Sequence, residues 1–79
     1  MTLGQLVAEN LRALRLQKKL SQESLARKAG ISVSYISMLE RGQRSPPLDT
    51  LEALAKALGV APIALLEEIP RQKAATSRR

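Results

Sequence analysis

The 79-residue chain contains no cysteine, no histidine, no phenylalanine and no tryptophan, and its single aromatic residue is Tyr35. The first two absences remove disulfides, thiolate zinc sites, imidazole ligands and the usual proton shuttle together. Scattered carboxylates and lysines without metal-ligand spacing are what remains for chemistry, so neither an enzyme nor a resident cofactor is expected. The scarcity of rings disfavours a binder of single strands, whose stacking platforms need several aromatics. Long apolar runs are missing as well. No stretch approaches the ~18 residues of a membrane span, and Glu9 and Arg12 interrupt the opening segment where a signal peptide would be continuously apolar. Leu16 is too little apolar surface beside the basic residues for membrane-surface binding. The expectation is a soluble cytoplasmic protein.

What the chain does have is aliphatic and basic. Apolar residues make up 44% of it, almost wholly Leu, Ala, Ile and Val. Such side chains fill thin layers, which favours closely packed helices. A chain this short hides only ~60% of its unfolded surface and supports one core. The formal net charge of +6 is unevenly placed. Residues 12–44 carry eight basic and two acidic side chains, net +6, whereas residues 45–69 carry one basic and four acidic, net −3. Residues 70–79 add four more cations with two alanines as their only apolar content, and read as a disordered basic tail after a domain spanning 1–69. A basic stretch beside an acidic one points to a polyanion met by a single face.

Apolar spacing predicts five short helices and no strand. Val7, Leu11 and Leu14, extended by Leu3 or Leu6, place helix one over about 3–18. Ser21 stands at an N-cap before Leu25, Ala26 and Ala29, and Gly30 ends helix two. Ser32 repeats the capping signal before Ile36 and Leu39, so helix three covers about 33–41 and stops at Gly42. Ser45-Pro46-Pro47 forms a fixed corner, because both prolines lack an N–H and restrict the residue before them. Leu48, Leu51, Leu54, Ala55 and Leu58 give helix four, ended by Gly59. Pro62 opens helix five with Ile63, Leu65, Leu66 and Ile69, and Pro70 closes it.

Helices two and three have the spacing of a helix-turn-helix. Ala26 is small enough for helix three to approach, and Gly30 can take the left-handed conformation of a tight turn. Leu25, Ala29, Ile31, Ile36 and Leu39 then face inward, leaving Val33, Ser34, Ser37, Met38 and Arg41 outside on helix three.

The runs "LSQESLARKAGIS", "YISMLERGQRSP" and "LEALAKALGV", in that order, resemble the phage-repressor and Cro-like family of regulators, also called the xenobiotic-response-element (XRE) family. The similarity extends from about Val7 to Leu66. The length and the tyrosine-to-arginine run from Tyr35 to Arg44 also resemble the small controller proteins of restriction-modification systems.

The resemblance implies an all-α, five-helix lambda-repressor-like fold and a sequence-specific regulator that grips duplex DNA. It implies that Gln22 holds a phosphate at the start of helix two. The first exposed turn of helix three would enter the major groove, with Val33 and Ser34 at base edges and Ser37 and Met38 one turn further in. Arg41 and Arg44 would reach phosphates, Arg44 also being able to swing to a base, while Ser32, Tyr35 and Gln43 complete the phosphate set. Tyr35 and Met38 fit a second role as cover for the core edge, and Arg27 and Lys28 fit a solvated helix face as well as a phosphate contact. Arg15 and Glu40 occupy family positions that pair with each other, which takes Arg15 out of the DNA set.

Three positions depart from the family pattern. Lys19 stands where glycine or asparagine often ends helix one, which implies either strain at that residue or a different end to the helix. Val33 and Met38 replace polar base-readers, shifting weight to Ser34, Ser37, Tyr35, Arg44 and DNA shape. Ala61 lacks the capping hydroxyl usual before Pro62.

One such domain reads few base pairs, so a dimer on a palindromic or pseudo-palindromic operator is the economical route to specificity. Val60, Ile63, Leu66 and Ile69 are the expected isologous patch. With no ligand domain apparent, control through a protein co-regulator fits as well.

Overall fold

The computed structural model describes residues 1–68, which hold four α-helices and one short 3-10 turn and no strand. Helix α1 is Leu3–Gln17, α2 Gln22–Ala29, α3 Val33–Glu40 and α4 Leu48–Leu58. Each start has a local cause. Thr2 accepts from the Gln5 N–H at 3.1 Å while the Gln5 side chain accepts from the Thr2 N–H at 2.8 Å, a reciprocal capping box that opens α1. Ser21 caps α2 through the Ser24 N–H at 2.9 Å, and Ser32 caps α3 through the Tyr35 N–H at 3.1 Å. Helix α4 has no side-chain cap; Pro47 precedes it and sets its entry by a fixed φ of −62°.

All four α-helices close in the same way. The first or second residue past each end turns left-handed, its N–H and the next one reaching back to carbonyls of the last turn. At α2 the pair is Gly30 N–H to the Arg27 carbonyl at 3.3 Å and Ile31 N–H to the Ala26 carbonyl at 3.0 Å. At α1 it is Lys19 N–H to Leu16 at 3.0 Å and Leu20 N–H to Arg15 at 3.0 Å. Gly42 and Gly59 serve α3 and α4. Lys19, at φ 60°, is the one non-glycine residue among those described with positive φ, so its Cβ sits where a glycine would carry none.

The core is one aliphatic cluster: Val7 and Leu11 from α1, Leu25 and Ala26 from α2, Ile36 and Leu39 from α3, four residues of α4, and Leu65. Helix α2 packs on both α3 and α4, while α1 packs on α3 and on the 3-10 turn. The corner before α4 comes up against the start of α1, where a Cβ on Gly4 would lie 3.2 Å from the Ser45 hydroxyl.

The fifth helix departs from expectation. Pro62–Leu65 is a single 3-10 turn, not an α-helix, which makes four α-helices where the spacing predicted five. Two causes act together. Ala61 offers no capping side chain, so the start that Pro62 would open is left without a side-chain cap. Asn10, fully buried on α1, donates its amide N–H groups to the carbonyls of Leu65 at 3.0 Å and Glu67 at 2.6 Å. Those two carbonyls are thereby tied to α1, which fixes the end of the turn against it. Ile69 and the tail at 70–79 lie outside the described residues.

Candidate nucleic-acid interface

The interface is assembled from the start of α2, the first turn and outer side of α3, and the loop that follows. Gly30, at φ 75° and ψ 31°, lets the chain reverse within three residues between α2 and the Ser32 cap. A Cβ there would meet nothing within 4 Å, so glycine is required by conformation and not by space. Buried Ala26 supplies the close approach, and Ile36 and Leu39 pin α3 to the core. What α3 turns outward is therefore fixed: Ser32, Val33 (40% exposed) and Ser34 are exposed at its start, with Ser37 and Met38 half-buried one turn on.

Tyr35 does both things the sequence allowed. Its side chain packs against the core cluster, yet the residue stays half-exposed beside the open start of α3. Beyond α3, Arg41, Gln43 and Arg44 are all exposed. The Arg41 guanidinium folds back along the helix, donating to the Ser37 hydroxyl and, at 3.2 Å, to the Gln43 amide oxygen. These three positions form one hydrogen-bonded chain, which the i,i+4 spacing of Ser37 and Arg41 already allowed. Arg27 and Lys28 are exposed on α2.

Behind this surface lies a buried ion pair. Arg15 donates through Nε to Glu40 Oε2 at 2.6 Å and through Nη2 to Glu40 Oε1 at 3.1 Å, with side-chain exposures of 10% and 4%. Its remaining nitrogen, Nη1, donates to the Leu20 carbonyl at 2.9 Å, so one guanidinium ties the end of α1, the loop before α2 and the end of α3. Gln22 joins the network: its Nε2 donates to Glu40 Oε1 at 3.0 Å. Nothing in the spacing of Gln22 and Glu40, eighteen residues apart, announces that contact.

The residues expected to form a dimer patch are not equally free. Ile63 is 57% exposed, but Val60 and Leu66 are half-buried and pack against the core cluster. Leu48, at 79% exposure, and Leu3, at 61%, are more exposed than Ile63, although periodicity places both on apolar helix stripes; each sits at the first position of its helix, beyond the reach of the core. Asn10 was also missed, although an asparagine three residues from Val7 on an apolar stripe is a readable sign of a buried polar tie. Among the described residues there is no cluster of side chains suited to a metal ion and no helix long and apolar enough to cross a membrane.

Two capped helices crossing at a glycine turn, with an exposed second-helix start flanked by cations, define a helix-turn-helix domain. The chain belongs to the helix-turn-helix family, whose sequence profile matches residues 11–65. It is 44% identical over 66 residues to the uncharacterized HTH-type transcriptional regulator y4dJ of Sinorhizobium fredii, covering 84% of this chain and 86% of that protein. It spans a smaller share of two further curated relatives, 43% and 49% of their lengths. Among solved structures, the restriction-modification controller protein C.AhdI of Aeromonas hydrophila matches with TM-score 0.76 and 42% identity over 78% of this chain and 94% of that one. The P22 c2 repressor, solved in complex with a synthetic operator, matches with TM-score 0.73 and 36% identity over 80% of this chain and 96% of that one.

Proposed function

We propose that this chain regulates transcription by binding double-stranded DNA sequence-specifically as a two-fold dimer, with α3 in the major groove. The observation that carries the reading is the exposed start of α3, Val33 and Ser34, on a helix packed into the core, with exposed Arg41, Gln43 and Arg44 in the loop that follows it. Val33 offers methyl surface to a thymine and Ser34 a hydroxyl to a base edge, with Ser37 and Met38 deeper in the groove. The Ser32 oxygen is occupied by its cap, which leaves the hydroxyl hydrogen for a phosphate. Gln22, Tyr35, Arg41 and Gln43 would hold further phosphates, and Arg44 a phosphate or a base.

Residues 1–69 act in this reading as one DNA-binding unit, and two copies set their α3 helices ~34 Å apart on a palindromic or pseudo-palindromic site. The exposed Ile63 is the center of the dimer contact in this reading, together with the half-buried Val60 and Leu66. The family resemblance to regulators that include an operator-bound repressor supports the DNA reading over that of an adaptor. A protein co-regulator is compatible with it.

The test is selection of bound sites from random duplex DNA, followed by titration of the recovered site. With 6 to 10 phosphate contacts per dimer, affinity should fall about 10³- to 10⁵-fold between 50 and 200 mM salt. Arg44→Ala should weaken every duplex and lower the salt slope by about one per protomer, whereas Ser34→Ala should mainly blur base preference. Binding without a salt slope, or identical effects of the two substitutions on all sequences, would sink the reading.

A further inference from the structure

The Gln22 carboxamide has two chemically different ends, and only one of them suits a phosphate. An N–H attracts the anion, while the carbonyl oxygen repels it. Which end faces outward is decided by what holds the other. In this structure the holder is Glu40, whose carboxylate has acceptors only: Oε1 takes Gln22 Nε2 at 3.0 Å, and a flipped amide would set oxygen against oxygen. Glu40 cannot turn away to relieve such a clash, because Arg15 grips both of its oxygens, at 2.6 and 3.1 Å, inside the protein.

We infer that Glu40, clamped by Arg15, is a positioning residue for DNA binding: it locks the flip of the Gln22 amide so that the second Nε2–H is presented to a backbone phosphate. The inference rests on the phosphate role proposed for Gln22. It gives the buried ion pair a task beyond holding α1 to α3. Gln22 is the first residue of α2, where the opening N–H groups have no partners within the helix. A correctly flipped amide therefore adds its donor to a set already favourable to an anion. Glu40 is also the last residue of α3, so the phosphate grip on α2 and the reading surface on α3 are fixed to each other through one buried group.

A double-mutant cycle tests this, using Glu40→Gln, which keeps the shape but lets residue 40 either donate or accept. Affinities are measured on the selected duplex and on a random duplex, below the melting temperature of every variant. Gln22→Ala should weaken binding about tenfold per half-site on both duplexes, as expected for a hydrogen bond to a charged group. Glu40→Gln should cost ~3- to 10-fold in the unaltered chain but less than ~2-fold when Gln22 is already alanine. Equal cost of Glu40→Gln in both backgrounds would show a purely structural role and overturn the inference while leaving the grip of Gln22 intact. No cost of Gln22→Ala on either duplex would refute the grip itself, and the positioning role with it. Should Glu40→Gln fail to fold, the unaltered chain still decides. Its Gln22 side-chain amide must show one slowly exchanging, shifted proton by nuclear magnetic resonance, and an amide that exchanges like a free glutamine overturns the inference.

Discussion

Lys19 occupies the same place in α1 that glycines occupy after the other three helices, and replacing it with glycine should stabilise the protein. A non-glycine residue held left-handed, here at φ 60°, costs roughly 1–2 kcal/mol. Glycine removes that cost but gives the unfolded chain more freedom, which takes back about 0.4–1 kcal/mol. Loss of a cation beside the last carbonyls of α1 takes back a few tenths more, with Lys18 still in place. Lys19 is exposed, so no packing is lost. The net expectation for Lys19→Gly is a gain of about 0.5 kcal/mol, or roughly 2–4 °C in Tm for a domain of this size.

Gly30→Ala is the mirror experiment. Its φ of 75° imposes the conformational cost, and the absence of any atom within 4 Å of an added Cβ means that sterics add nothing. A loss of about 1 kcal/mol is expected. Both variants should be followed by urea and thermal unfolding at one fixed protein concentration, because dimerisation would make Tm concentration-dependent. Two changes of opposite sign at equivalent positions are the signature. If Lys19→Gly lowers stability, or Gly30→Ala leaves it unchanged, backbone conformation is not what these closures are limited by.

Asn10→Ala should cost about 2–3 kcal/mol by urea unfolding, since it strands the Leu65 and Glu67 carbonyls and empties a fully buried site; a loss under ~0.5 kcal/mol would show that the C-terminal turn does not depend on this tie. Ile63→Lys should abolish the dimer in sedimentation at micromolar protein while leaving the unfolding free energy of the monomer within ~0.5 kcal/mol, because the side chain is 57% exposed; an unchanged sedimentation coefficient would move the dimer contact elsewhere.

Much of the fold was legible because its signals are local. Serines at 21 and 32, glycines at 30, 42 and 59, and the Pro46-Pro47 corner mark the helix ends directly, since each acts on its own backbone within a turn. Inward and outward positions on α3 followed from 3.6-residue periodicity, which is why Val33 and Ser34 stand on the open side as expected. The strain implied at Lys19 appears as a left-handed backbone. The fifth helix was misread because its fate is only partly local: Pro62 is a sound helix opener, but Ala61 gives it no cap, and the turn is tied to α1 through Asn10, more than fifty residues earlier.

The amino-acid sequence by itself determined that this is a small aliphatic helical protein with an outward-facing helix after a glycine turn and basic residues just beyond its end, because capping, periodicity and charge act over a few residues. Tertiary structure alone decided how the groups on that surface are held. The amide of Gln22 meets Glu40, the guanidinium of Arg15 gathers α1, α3 and the Leu20 carbonyl, and Asn10 ties the last turn to α1. Each of these depends on directional hydrogen bonds between segments far apart in the chain, and a direction in space is something that spacing along one dimension does not carry.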